Sequence, residues 1–293
     1  MEQRVAVLIP CYNEEQTIAK VIRDFQQELP TAAIYVYDNN STDHTVQQAQ
    51  AAGAIVRMEK RQGKGNVVRS MFREIDADAY VLVDGDDTYP AHQLSVLLQP
   101  VLSGAADMAI GDRLSNGTYY SENKRAFHEL GNNLVRDLIN HLFKGDVRDI
   151  MTGYRVFSRR FAKCMPVRSE GFQIETEMTV FALVMRLKLV EAAIDYRDRP
   201  AGSFSKLHTF RDGVRVLLTL FDLYKDYRPM YFFFWLFLLS IGIGLCMPPG
   251  PGRLFLLLTG AGFMSTGIIL DSGKNLKIQM LEEVLNQYAE KGR

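Results

Sequence analysis

A mostly parallel α/β sheet followed by a two-helix apolar hairpin is the architecture this sequence predicts, and three observations predict it. Short apolar runs alternate with segments of helical period through the first 110 residues. Polar clusters stand where those runs end, at the side of a parallel sheet where ligands collect. Two uncharged stretches, Pro229 to Met247 and Leu254 to Leu270, hold much of the apolar character of the later part of the chain.

The first apolar run is Val5 to Ile9, and Glu14 to Leu29 follows in helical period with Ile18, Val21, Ile22 and Phe25 on one face. Next come a strand at Ile34 to Tyr37, a helix from about Thr42 to Ala52, a strand at Ile55 to Met58, a helix from about Lys64 to Ile75 and a strand at Tyr80 to Val83. Repeated βα units imply right-handed crossovers, which bring the strand ends to one rim. Asn13-Glu14, Asp38-Asn39-Asn40 and Asp84-Gly85-Asp86 are the clusters at those ends.

Ser121 to Phe143 and Leu207 to Tyr224 are again helical in period. In the second, Leu207, Phe210, Val214, Leu217, Leu218 and Phe221 oppose Arg211, Asp212, Arg215 and Asp222. Residues 199–228 carry six cations against three carboxylates, the balance an interfacial helix needs on an anionic leaflet; an amphipathic core helix shares the pattern without the charge surplus. The 19 uncharged residues from Pro229 measure about 28 Å as a helix, close to the hydrocarbon thickness. After the break PPGPGR the second run returns, so the pair reads as a membrane hairpin. Lys225, Arg228, Lys274 and Lys277 flank it, against Arg253 alone in the turn, which puts both flanks, and with them both termini, on the cytoplasmic face. Asn275 to Tyr288 forms a further amphipathic helix through Met280, Leu281, Val284, Leu285 and Tyr288. The expected division is 1–205 for the α/β domain with interface helices at about 121–143, 206–228 for the juxtamembrane helix, 229–271 for the hairpin and 272–293 for a cytoplasmic tail.

Formal net charge is zero, which leaves no basic surplus for nucleic acid. Cys11, Cys164 and Cys246 lack the spacing of a zinc site or disulfide framework, and Val5 to Pro10 is too short for a signal-peptide core. The five histidines, His44, His92, His128, His141 and His208, form no metal-ligand cluster.

Two segments carry candidate chemistry. Asp84-Gly85-Asp86-Asp87 follows an apolar run, and carboxylates separated by one residue at a strand end suit a hard cation, Mg²⁺ or Mn²⁺, with positions left open for substrate phosphates; an acidic turn is the plainer alternative. Arg61-Gln62-Gly63-Lys64-Gly65-Asn66 opens a helix whose amides, with Lys64, offer a diphosphate site, although the Walker spacing is absent.

In order and spacing, PCYNEEQTI (10–18), YDNNSTDHT (37–45), VDGDDTYPA (83–91), DIMTGYRVF (149–157) and RPAGSFSKL (199–207) resemble the inverting family 2 glycosyltransferases of the polyprenyl-phosphate branch. That branch includes dolichyl-phosphate mannose synthases and undecaprenyl-phosphate glucosyl- or N-acetylglucosaminyltransferases. The resemblance covers about residues 4–215 and implies a GT-A fold, a nucleotide-sugar donor and a polyprenyl phosphate acceptor at the membrane. It puts Pro10, Tyr12, Glu14, Asp38, Asn40, Lys64, Asp84 and Gly85 on the donor, and Asp84 and Asp86 on the metal. Arg113, Arg125, Arg199, Ser205 and Lys206 are the candidates for the acceptor phosphate, and Asp86, Asp149 and Arg199 for the chemistry. Glu175 and Glu177 fall where other members carry a base, or else order their loop. Thr88 stands where mannose synthases commonly have glutamine, which favours a UDP-sugar, UDP-N-acetylglucosamine or UDP-glucose, over GDP-mannose.

The expected activity is transfer of one sugar to a polyprenyl phosphate on the cytoplasmic leaflet. A processive polysaccharide synthase fits poorly, since Trp235 is the single tryptophan and lies inside the first span. A silent nucleotide-binding membrane adaptor is the reading from another class. Gly242, Gly244, Gly260 and Gly262 permit close helix contacts between protomers, and so a homo-oligomer.

Overall fold

A computed structural model describes residues 3–117, 126–200, 206 and 209–290. Of the expected site residues, Arg125 and Ser205 lie outside the described residues. The chain divides into two compact units, one of Met1–Leu217 with Gln287–Arg293 and one of Leu218–Asn286.

The first unit is built on a seven-stranded sheet of order β3-β2-β1-β4-β6-β5-β7. Its strands are β1 (Val5–Cys11), β2 (Ala33–Asp38), β3 (Ile55–Met58), β4 (Ala79–Leu82), β5 (Met108–Asp112), β6 (Arg155–Ser158) and β7 (Leu189–Ala193). The helices are α1 (Ile18–Glu28), α2 (Thr45–Ala51), α3 (Lys64–Glu74), α4 (Leu94–Leu102), α5 (Ala126–Phe143), α6 (Arg159–Cys164) and α7 (Ile174–Val184), followed by α8 (Thr209–Tyr227). The four strands read from the sequence are all present, each within two residues of its expected ends. α1 begins at Ile18 rather than Glu14, because the Glu14 carbonyl is already closing a turn on Thr17 and Ile18.

Helices cover both faces of the sheet, which is why the strands read as continuous apolar runs. On one face Ile18, Val21, Ile22 and Phe25 of α1 and Leu94, Leu97, Leu98 and Val101 of α4 pack on Val7, Ile9, Val36 and Val81. On the other, Phe72 of α3 meets Phe157, Phe157 stacks on Phe161 of α6, and Phe161 meets Phe181 of α7.

One strand runs against the expectation of parallel neighbours. β6 is antiparallel to both β4 and β5, with Arg155 opposite Leu82 and Ile110. Its reversal decides the site. The segment entering β6, residues 149–154, thereby arrives at the same rim as the segments leaving β1, β2, β4, β5 and β7.

The second unit contains the apolar helices α9 (Pro229–Cys246) and the larger part of α10 (Pro251–Glu290). Both are long and apolar enough to cross a membrane. They expose rather than bury their large side chains, among them Trp235, Leu239, Phe255, Leu258 and Ile269. The seam between them is glycine-lined: a methyl at Gly244 would touch Leu256, one at Gly260 would touch Ile241, and Ser240 donates to the Leu256 carbonyl at 2.8 Å. Gly242 and Gly262 face open space. The expected separate tail helix is instead the continuation of α10, which runs 40 residues without a break.

Candidate active site

Strand ends bring the functional side chains together. β4 delivers Asp84, Gly85 and Asp86, with Asp87 held at a positive φ of 60°; Asn13 after β1 and Asn40 after β2 adopt the same left-handed backbone. Asparagine and aspartate tolerate that region better than other L-residues, and three such positions on one rim mark a shaped site.

Asp84, Asp86 and Glu14 on the rim each hold a cation of the chain. Asp84 Oδ1 accepts from Lys64 Nζ at 2.5 Å, and the same ammonium reaches Glu175 Oε1 at 2.7 Å. Burial works against the Lys64 charge, yet Asp84 and Glu175 outweigh it and keep the group protonated far above the ordinary lysine range. Asp86, buried, pairs with Arg199, while Thr88 donates its hydroxyl to Asp86 Oδ1 at 2.7 Å. Burial first, and then the neighbouring Asp84 charge, raise the Asp86 carboxyl above its usual range, with Arg199 and Thr88 opposing. Lys206 Nζ sits 2.6 Å from Glu14 Oε1 and donates to the Asn13 carbonyl at 2.8 Å, and Arg199 reaches Glu14 at 3.7 Å. Burial raises the Glu14 carboxyl and Lys206 counters it.

Asp38 is fully buried; its Oδ2 accepts the Ser41 amide at 3.0 Å in the strand-end turn, and its Oδ1 has no partner among the described residues. Asn39, which the sequence reading passed over, is the scaffold of this corner: it donates to the Glu59 and Arg61 carbonyls at 2.8 Å and accepts the Gly63 amide. Asn40 donates to the Lys60 carbonyl, so it shapes the 60–62 loop. Pro10 lies in β1, and Tyr12 just beyond it is 38% exposed.

Four expectations find different surroundings. The charge that Arg113 was expected to offer an acceptor phosphate is met by Asp149, through Nε–Oδ2 at 2.7 Å and Nη2–Oδ1 at 2.9 Å, with both side chains buried. Asp149 also accepts the Arg113 amide at 3.1 Å, so the expected catalytic carboxylate is bound three times by one residue. Gly85 contributes by lacking a side chain: a methyl there would press on Cys11 Sγ and Ile9, and its carbonyl accepts from Thr17 at 2.6 Å. At the α3 N-terminus the Asn66 amide donates to the Glu170 carbonyl at 3.2 Å, and side chains at Gly63 or Gly65 would run into the backbone of residues 169–170. The chain's own loop therefore occupies one of the amides expected to meet a diphosphate, that of Asn66. Glu177 accepts the amides of Arg168 and Ser169 and orders that loop.

The donor set of the carboxylate pair suits a cation. Asp84 and Asp86 supply hard oxygens that repel one another, and among the described residues no group of three or more acidic, histidine or cysteine side chains converges to cage a metal. Two carboxylates with open positions fit a divalent ion whose shell is completed by substrate phosphates.

Strands ordered 3-2-1-4 beside a reversed strand, with a two-carboxylate turn at their rim, define a GT-A glycosyltransferase. The fold is shared with glucosyl-3-phosphoglycerate synthase of Mycobacterium tuberculosis solved with Mn²⁺, UDP and glucosyl-3-phosphoglycerate, at a TM-score of 0.59 and 22% identity over 74% of this chain and 80% of that one. Residues 6–165 match the model of Glycosyl transferase family 2, and the chain belongs to that family. It is 36% identical over 230 residues to glycosyltransferase AglJ of Haloferax volcanii, covering 78% of this chain and 75% of that protein. It is 30% identical to the dolichyl-phosphate hexose transferase of the same organism, over 72% of this chain and 90% of the relative. The protein is a glycosyltransferase.

Proposed function

We propose that the enzyme transfers one sugar from a UDP-sugar, UDP-N-acetylglucosamine or UDP-glucose, to a polyprenyl phosphate on the cytoplasmic leaflet, with inversion and with Mg²⁺ or Mn²⁺. The observation that carries this reading is the convergence of Arg199 and Lys206 on Asp86 and Glu14, which sets phosphate-binding cations directly beside the carboxylates of the donor site. The dolichyl-phosphate relative supports the acceptor, the exposed apolar helices support the membrane, and the UDP and Mn²⁺ of the structural relative support the donor and cofactor.

An acceptor phosphate monoester is already largely ionised near neutral pH, so no base has to remove a proton. Its oxygen attacks the anomeric carbon from the face opposite UDP; the C–O bond to the diphosphate breaks, and the negative charge leaves with UDP. A cation held by Asp84 and Asp86 would stabilise that charge. Arg199 and Lys206 then have two roles, masking carboxylates before substrates arrive and drawing in the acceptor phosphate afterwards. The unpartnered Asp38 oxygen offers a buried acceptor for a ring N–H of the base.

The test is release of UDP by purified protein in lipid nanodiscs with Mn²⁺, a panel of nucleotide sugars and a polyprenyl phosphate. Asp86→Ala is expected to abolish release, by at least about 10²-fold, while remaining folded. Release of GDP from GDP-mannose instead would transfer the reading to a mannose synthase. Nucleotide binding with no turnover of any donor would replace it with the adaptor.

A further inference from the structure

Two tyrosine hydroxyls lie in one buried aromatic cluster behind the carboxylate turn, and they differ sharply. Tyr89 and Tyr154 pack at a centroid distance of 5.4 Å, and Tyr196 meets the other side of Tyr89 at 5.7 Å. The Tyr154 hydroxyl is buried without a hydrogen-bond partner among the described residues. The Tyr89 hydroxyl accepts the Gly153 amide at 2.9 Å and lies 3.4 Å from both Thr152 Oγ1 and Arg113 Nη1.

Gly153 is the wall against which Asp84 rests. A methyl on it would run into Asp84 Oδ2 and crowd Lys64 Nζ, so the Asp84 carboxylate is confined by Lys64 at one oxygen and by the Gly153 backbone at the other. The turn is pinned from behind as well: the fully buried Arg155 donates to the Ile150 carbonyl at 2.5 Å and the Thr152 carbonyl at 3.1 Å. A buried amide deprived of its acceptor seeks another one, and a backbone turn with no competing partner shifts to find it.

We propose that Tyr89 is a positioning residue, whose hydroxyl fixes the Thr152–Gly153 turn and through it the orientation of the Asp84 carboxylate toward the donor diphosphate. The inference rests on the donor-site reading of Asp84 given above. Tyr89 touches no substrate; it acts through Gly153.

Tyr89→Phe tests it by removing one oxygen and keeping the ring. The Gly153 amide is expected to lose its protection in hydrogen exchange while the core strands keep theirs. In turnover, kcat should fall about tenfold and half-saturating Mn²⁺ rise several-fold, with the melting temperature lower by only a few degrees. Tyr154→Phe removes an unpartnered hydroxyl from the same cluster and should leave all these quantities unchanged. Gly153→Ala, which drives a methyl toward Asp84, should reproduce the kinetic defect by a separate route. Equal impairment of the two phenylalanine variants would reduce Tyr89 to core packing and overturn the inference. So would a Tyr89→Phe enzyme with wild-type kcat and Mn²⁺ dependence. If the wild type itself transfers no sugar, the transfer reading fails on its own, and the Gly153 amide decides the positioning inference: unchanged exchange in Tyr89→Phe sinks it.

Discussion

Asp149 separates a scaffold from a catalyst. Its carboxylate is 3% exposed and the Arg113 side chain 8%, joined by a two-pronged contact. Asp149→Ala would take the carboxylate away from a buried guanidinium, and breaking a buried pair from one side costs about 3–5 kcal/mol. For a unit of this size a loss of 1 kcal/mol lowers the melting temperature by about 2–4 °C, so the expected fall is about 6–20 °C. Replacing both partners with apolar side chains, Arg113→Met with Asp149→Leu, removes the stranded charge and should recover most of the loss. Thermal unfolding followed by intrinsic fluorescence compares the wild type, Asp149→Ala and the double variant. An Asp149→Ala protein that melts within about 2 °C of wild type, yet turns over far more slowly, would refute this reasoning and return Asp149 to the chemistry.

Other outcomes follow from local geometry. Arg61 first, with Ser70 and the Arg61 amide, lowers the Glu59 carboxyl to about 2. A depressed carboxyl stabilises the fold above its unfolded range near 4.5, and that contribution disappears as pH falls through about 2. Denaturant titrations should therefore find Glu59→Gln less stable by about 1–2 kcal/mol at pH 7, a value discounted for the exposed Arg61, with the gap closing below pH 3. In the hairpin, Gly260→Leu forces a side chain into Ile241, whereas Gly262→Leu meets open space. The first should lower thermal stability in detergent by several degrees and the second should leave it unchanged, as read by a melting curve.

The sequence made the β1-to-β4 half legible because buried parallel strands are short apolar runs between polar segments, and Val5–Cys11 to Ala79–Leu82 are of that kind. It could not announce that β6 is reversed. Periodicity carries no direction, and a strand opening on the fully buried Arg155 disguises itself as surface. Asp84 and Asp86 were visible as a pair because two residues of spacing settle their proximity. Their partners were not: Lys64 lies 20 residues from Asp84, and Arg199 is farther still from Asp86, so only the fold brings these charges together. Arg113 and Asp149 were each read as charges for the site, but two isolated charges in a sequence do not reveal that they neutralise one another. The tail helix was legible from its apolar spacing, whereas its fusion to the preceding span was not, since nothing between Leu254 and Tyr288 stops a helix strongly enough to place a boundary.

That uninterrupted helix has a mechanical consequence. At 40 residues α10 is about 60 Å long, twice the hydrocarbon depth of a bilayer, so about half its length stands outside the lipid when the other half is immersed. A rod of that length is a lever. Bilayers of unequal thickness are accommodated by tilt, and a 10° change carries the far end sideways by about 10 Å. A bilayer around Leu254 to Leu270 would thus act on the position of Leu276, Met280 and Val284, whose side chains are exposed.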